Sequence, residues 1–256
     1  MKFLKTYSLS FIAIASFLIV WEIAVALFSL PKWILPAPHQ IFETLWVKRE
    51  LLFMHSLYTI FETLLGLTIA TIVGFGIAIA MEWSSFFRKL FKPFLVISQT
   101  IPFIALAPLL VVWFGYGLLP KIIVITLACF FPIALSLYDG FKAADSNMIR
   151  LLKSMGAKKS QIFRMVKIPA SLPAFFSGFR IAGAYAVGVA VVSEWIGAEN
   201  GLGIFLIRSA RSYLTDSVFA VIFVVTTLSL LTIFLIDQLT KIAIPWYFHK
   251  KEGGVV

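Results

Sequence analysis

Charge is what this chain has least of. Only 13% of its 256 residues are Asp, Glu, Lys or Arg, where a soluble domain carries about a quarter. That scarcity excludes an ordinary water-solvated globule. Cysteine is nearly missing too. The single Cys129 lies inside an apolar run, which excludes a disulfide within the chain and reads as packing. The signatures of several chemistries are absent. There is no G-x-x-x-x-G-K-[ST] phosphate loop; the nearest look-alike, GAKKS from Gly156, lacks the first glycine and its spacing. His39, His55 and His249 are scattered, with no H-E-x-x-H. There is no G-x-S-x-G. Asp139 and Asp237 fall toward the same side, and no feature marks them as a catalytic pair. No catalytic residue, no metal site and no cofactor is expected in this chain.

What is present is apolar. Hydrophobic residues make up 61%, Phe alone numbers 26, and the mean hydropathy is +0.98. The class is an integral membrane protein, a single transmembrane domain over residues 1–256. The net charge is +10. Basic residues collect on the cytoplasmic side of membrane proteins, so the lipid bilayer accounts for the charge and no nucleic-acid partner is expected.

A membrane helix needs about 20 mostly apolar residues. Segments near 7–30, 57–81, 94–114, 122–137, 174–196 and 218–244 qualify, which predicts an all-α, polytopic bundle of about six spans. The first is longer than the roughly 7–15 apolar residues of a signal peptide and reads as an uncleaved span behind Lys2 and Lys5. With the N-terminus in the cytoplasm, 16 Lys and Arg lie inside and 6 outside (Lys32, Lys48, Arg49, Lys121, Arg208, Arg211). The positive-inside bias therefore predicts that both termini are cytoplasmic. Trp33, Trp46 and Trp195 then fall at the outer interface, Trp83 and Trp246 at the inner one.

Two spans carry small residues at four-residue steps: Gly66, Ala70, Gly74 and Ala78 in the second, and Ala174, Gly178, Ala182, Ala186 and Ala190 in the fifth. Such a face lets backbones approach closely in lipid. It serves either ordinary bundle packing or a seam between helices or protomers that slides. The third span holds Pro102 and Pro108 and is expected to be a kinked helix lining a pathway. Pro132 adds a kink to the fourth. Ionisable residues within spans are functional candidates. Glu194, with Tyr185 on the same helix, is the pathway candidate, against a reading as an interface residue. Glu22 suits packing or partner contact, Glu62 lies near an outer helix end, and Asp139 and Arg180 are placed to pair.

Between the fourth and fifth spans runs RLLKSMGAKKSQIFRMVKIPASLP, from Arg150 to Pro173. Met148, Ile149, Leu152 and Met155 recur at helical spacing. Ser146 or Asn147 is placed to cap that helix, and Gly156 to end it in a left-handed turn. Ser160 is placed to open a second helix with Ile162, Phe163 and Val166 on its apolar face, stopped by Pro169. A helical hairpin with one apolar and one basic side suits docking of a soluble partner. An anchor on anionic lipid would explain the lysines alone.

Gly156, nine residues, then Val166-x-Ile168-Pro169 resembles the cytoplasmic motif of ABC importer permeases, Glu-Ala-Ala, three residues, Gly, nine residues, Ile-x-Leu-Pro. WILPAPHQIFETL, PFIALAPLLVVWFG and VVSEWIGAENGLG resemble the nitrate, sulfonate, taurine and thiamine-precursor branch, the last of them most like the thiamine-precursor transporters. The family's Glu-Ala-Ala positions hold Arg150, Leu151 and Leu152 here, so no role of that Glu carries over. The resemblance implies a type I importer permease, a plasma (inner) membrane subunit without catalytic activity. Residues 140–173 would be the coupling loop, docking through Arg150, Leu151, Leu152, Met155, Gly156, Ala157, Ile162, Phe163, Val166, Ile168 and Pro169. The partners implied are an ATPase subunit holding ATP and magnesium, an extracytoplasmic substrate-binding protein and a second permease copy. Transport would proceed by alternating access. The implied solute is small, polar and organic: a thiamine-precursor pyrimidine, or alternatively a sulfonate, taurine or nitrate. A non-transporting receptor or scaffold is the contrasting class.

Overall fold

The computed structural model describes the backbone of residues 2–98 and 100–252, with side chains of residue 9 and of residues 11–98 and 100–248. The side chains of Lys2, Lys5, Tyr7, His249, Lys250 and Lys251 lie outside the described residues.

Among the described residues the regular structure is all helical. The helices are α1 (Lys2–Leu27), α2 (Pro38–Val47), α3 (Arg49–Trp83), α4 (Ser85–Ser98), α5 (Phe103–Phe114), α6 (Leu118–Lys142), α7 (Ser146–Ser154) and α8 (Lys159–Ile162). A π-turn (Phe163–Lys167) leads into α9 (Ile168–Ser193), followed by α10 (Leu202–Arg211), α11 (Thr215–Ala243) and α12 (Pro245–Glu252). Among the described residues four helices are long and apolar enough to cross a membrane: α3, α6, α8 running through to α9, and α11. The apolar part of α1, Phe11–Leu27, is shorter.

The third expected span is not one kinked helix. It is two helices, α4 and α5, inclined by 106°, which make a fifth crossing if taken together. Pro102 is extended (φ −71°, ψ 110°) and immediately precedes α5. It supplies no N–H, and its ring drives the preceding residue out of the helical region, so the chain breaks there. Pro108 and Pro132 stay inside α5 and α6.

α6 is the centre of the bundle, with Ile125, Cys129, Ile133, Ala134, Leu137 and Tyr138 all fully or almost fully buried. The two small-residue stripes explain how. Gly66 meets Ile125 and Gly74 meets the Phe130 carbonyl, both on α6. From the other side Gly178 meets the Pro132 carbonyl and Ser136, and the Cys129 Sγ lies 3.8 Å from the Ala182 carbonyl oxygen. Both stripes therefore grip one helix of the same protomer. Within the protomer they supply close helix packing.

Candidate functional site

At the basic end of the bundle, Lys142 closes α6 with its ammonium 4.3 Å from the Tyr138 ring centre. The next helix starts on Asp145, whose carboxylate accepts the Asn147 N–H at 2.8 Å. The cap is thus Asp145, one residue before Ser146 and two before Asn147, where an anion also meets the positive helix end. α7 ends in a Schellman turn. The Gly156 N–H donates to the Lys153 carbonyl at 3.0 Å and the Ala157 N–H to the Leu152 carbonyl at 2.9 Å. Gly156 stands at φ +84° with open space around it, as glycine at this position should. The second helix is opened by Lys158, whose N–H donates to Gln161 Oε1 at 2.7 Å, not by Ser160.

Pro169 does not stop that helix. Helical backbone runs from Lys159 to Ser193. In the π-turn ahead of the proline the Ile168 N–H reaches back five residues to the Phe163 carbonyl. The wider turn relieves the clash a proline makes with the carbonyl four residues before it. Pro169 then sits in the first turn of α9, where its missing donor costs little.

The hairpin has two unlike sides. Ile162 is buried, and the Phe163 ring packs edge-on against Trp83 and tilted against Phe141 at 5.8 and 5.2 Å between centroids. Lys167 pairs with Glu82, and Lys159 Nζ donates to the Trp83 carbonyl at 3.1 Å. Ala157, Val166 and Ile168 are half-buried. Met148, Leu151 and Met155 instead point away from the bundle, 47, 55 and 73% exposed. Arg150 folds back on its own helix, with Nη2 2.9 Å from Asn147 Oδ1. The eleven residues singled out in the sequence therefore divide into a set that fixes the hairpin and a set that it presents.

A second region lies mid-bundle, where a cavity of about 580 Å³ is lined by Pro102, Ile104, Val124, Tyr185, Gly188 and Ser229 among others. Pro102 and Tyr185 come together here, and Pro108 and Glu194 line no part of it. Tyr185 donates its hydroxyl to the Ala128 carbonyl at 3.1 Å, fixing the ring on α6. Glu194 is fully buried at the far end of α9. Thr59 donates to its Oε1 at 2.7 Å and the Gly203 N–H to its Oε2 at 2.5 Å. The Leu202 N–H donates to Thr59 Oγ1 at 2.9 Å, and the Gly201 N–H to His55 Nδ1 at 3.0 Å. In this conformation Glu194 is a clamp holding the α9–α10 turn against α3.

Residues 72–244 match the family of binding-protein-dependent transport system inner-membrane components. The chain belongs to this family. It is a multi-pass inner-membrane permease subunit of the ABC importer type. It is 38% identical to the formylaminopyrimidine transport permease protein ThiX of Halalkalibacterium halodurans, over 92% of this chain and 93% of that one. It is 32% identical to the taurine transport system permease protein TauC of Escherichia coli, over 95% and 91%. These relatives are transport permeases, not enzymes. Its fold matches a chain of the MetNI methionine ABC transporter in an inward-facing conformation, with TM-score 0.65, 22% identity, and 74% of this chain and 95% of that chain covered.

The permease corrects one expected contact and adds several. Arg180 pairs with Asp237 on α11 at 2.8 Å, not with Asp139. Glu22 meets His39 at 2.6 Å, joining α1 to α2. Glu62 pairs with Lys121, both almost buried. The sequence reading counted His55 only as a scattered histidine and passed over Thr59. Their signal was the polar series His55, Thr59, Thr63 at the same four-residue step as the glycines that follow. Asp216, held by Thr44 at 2.8 Å and Lys32 at 3.1 Å, had no comparable signal, because its partners are remote in sequence.

Proposed function

We propose that this permease imports a thiamine-precursor pyrimidine, driven by a separate ATPase subunit that holds ATP and magnesium. An external binding protein delivers the solute, and two permease copies form the translocation unit. The basic end faces the cytoplasm, both termini included, and residues 140–173 form the coupling loop. The observation that carries this is the hairpin's outward apolar side, Met148, Leu151 and Met155, on and at the end of a helix that buries none of its residues. Amphipathic helices of this size dock by such residues into a groove of a partner. Movement of the docked helix passes through the turn at Gly156 to Phe163, whose ring contacts the ends of α3 and α6. Alternating access then follows as rigid-body rocking of the bundles. Pro102 and Tyr185 line the pathway at the mid-bundle cavity.

The pyrimidine rests on 38% identity with the formylaminopyrimidine permease over nearly the whole chain. A taurine or sulfonate cargo is the second reading, favoured by 32% identity with the taurine permease. Gentle purification from native membrane with mass spectrometry tests the assembly. An ATPase and a binding protein in fixed ratio with the permease are expected, and Leu151→Asp should release the ATPase. The binding protein is then titrated with formylaminopyrimidine, taurine and nitrate. Recovery of the permease alone, under conditions that hold other importers together, would return the chain to the receptor or scaffold class.

A further inference from the structure

The two arms of the basic hairpin are held unequally. Ile162, Phe163 and Lys167 fix the second arm to the bundle, but α7 buries none of its residues. A cavity of about 300 Å³ lies between the arms and the end of α3. Ile149 and Lys153 of α7 line it, one turn apart, and Trp83 and Glu82 line it from α3. The helical step puts Ile149 and Lys153 on a different side of α7 from the outward Met148, Leu151 and Met155. The lining holds three ammonium groups, Lys153, Lys159 and Lys167, against the single carboxylate of Glu82. Lys167 takes up that carboxylate. Lys159 gives one of its three N–H groups to the Trp83 carbonyl. Lys153 makes no side-chain hydrogen bond or ion pair among the described residues. A cation excess is not general to the cavities of this chain. The one at the opposite end of the bundle, about 500 Å³ beside Glu62 and Lys121, sets Glu62 and Glu199 against Lys121.

Two uncompensated ammonium groups attract an anion, and the rest of the lining says which kind. Ile149, Ile162, Phe163 and Trp83 make it largely apolar, and Trp83 is 50% exposed. A bare phosphate would leave that apolar surface in water. Trp83 also ends a helix long enough to cross the membrane, and tryptophan at such an end sits at headgroup level. Basic pockets at that level suit lipid phosphates. We propose that this cavity is a site for an anionic phospholipid of the cytoplasmic leaflet. Its phosphate lies between Lys153 and Lys159, and the start of an acyl chain lies against Trp83 and Phe163. The lipid then ties α7 to the end of α3 and braces the docking helix from behind, while the outward side stays free for a protein partner. The leaflet rests on the cytoplasmic placement of the hairpin proposed above.

The test titrates the full-length permease in detergent with phosphatidylglycerol and, separately, with phosphatidylcholine, and native mass spectrometry counts the bound lipid. A saturable phosphatidylglycerol adduct is expected, with phosphatidylcholine retained far less. Lys153→Gln should weaken the adduct about fivefold, the worth of one lysine at an anionic headgroup, and Lys153→Glu should weaken it further. Lys89→Gln removes the same charge from an exposed position on α4 outside the cavity and should change nothing. Ala157→Trp fills the cavity and should remove the adduct with every lysine in place. Lys153 is exposed, so its variants keep the test valid if a thermal melt shows that Ala157→Trp folds poorly. Equal losses in Lys153→Gln and Lys89→Gln would reduce the effect to general surface attraction and overturn the proposal. Displacement of the lipid by inorganic phosphate would overturn it in favour of a free-anion site. Loss of the adduct on adding the ATPase would overturn it by giving the cavity to the protein partner. Each of these results leaves the importer reading standing. A hairpin labelled from outside the cell would overturn the cytoplasmic leaflet and that reading together.

Discussion

Gly156 and Gly74 show two different reasons for a glycine. Gly156 needs its backbone, at φ +84° with nothing within 4 Å of where a Cβ would sit. Proline there forces φ to about −65° and removes the N–H that donates to Lys153. Gly156→Pro is therefore expected to abolish ATP-driven uptake in proteoliposomes while the thermal melt of the bundle stays put. Normal uptake would end the coupling-loop reading. Gly74 needs its lack of a side chain, because a Cβ would come 3.0 Å from the Phe130 carbonyl oxygen and 3.1 Å from Ile133. Gly76, two residues on, faces open space. Gly74→Leu should destabilise the bundle by about 1–3 kcal/mol through overpacking, and Gly76→Leu should change it little. Equal melting shifts for the two would mean that α3 does not pack on α6 through this stripe.

At the scale of helices, apolar periodicity predicted where helices exist better than where they break. Pro102 and Pro169 look alike in sequence, each preceded by isoleucine. One ends up just outside a helix and the other rides in a first turn behind a π-turn. The difference is tertiary: Phe163 is held by Trp83 and Phe141, so the backbone widens at the π-turn instead of breaking. No local pattern reports those partners. The turn of the hairpin was legible for the opposite reason, since its glycine and its apolar spacing lie within a few residues of one another, whereas its caps, Asp145 and Lys158, were each placed too late. Asp145→Ala removes the cap of α7, at a cost of about 1 kcal/mol. Because no residue of α7 is buried, that loss should stay local. Faster hydrogen exchange over residues 148–154, with α6 and α9 unchanged, is the expected result. Slowed exchange or a global loss of protection would show that α7 is part of the bundle core.

The molecule as a whole is polarised, with the basic hairpin at one end and the cavity beside Glu62 and Lys121 at the other. Composition revealed the membrane class and the spacing around Gly156 the hairpin. The clamp of Glu194 on Thr59 joins residues 135 apart in sequence, and one chain offers no pattern that links them. The expected orientation rests on a count alone, 16 basic residues against 6, and it decides whether the hairpin reaches ATP. The one native cysteine makes this measurable, because Cys129 is fully buried and adds no background. Ser154→Cys and Glu199→Cys place exposed thiols at the two ends. With a membrane-impermeant maleimide, Glu199→Cys should label in right-side-out vesicles and Ser154→Cys only in inside-out ones. The reverse pattern would put the hairpin on the side without ATP. A docking helix there has no ATPase to dock, so the coupling loop and the direction of transport would fall together.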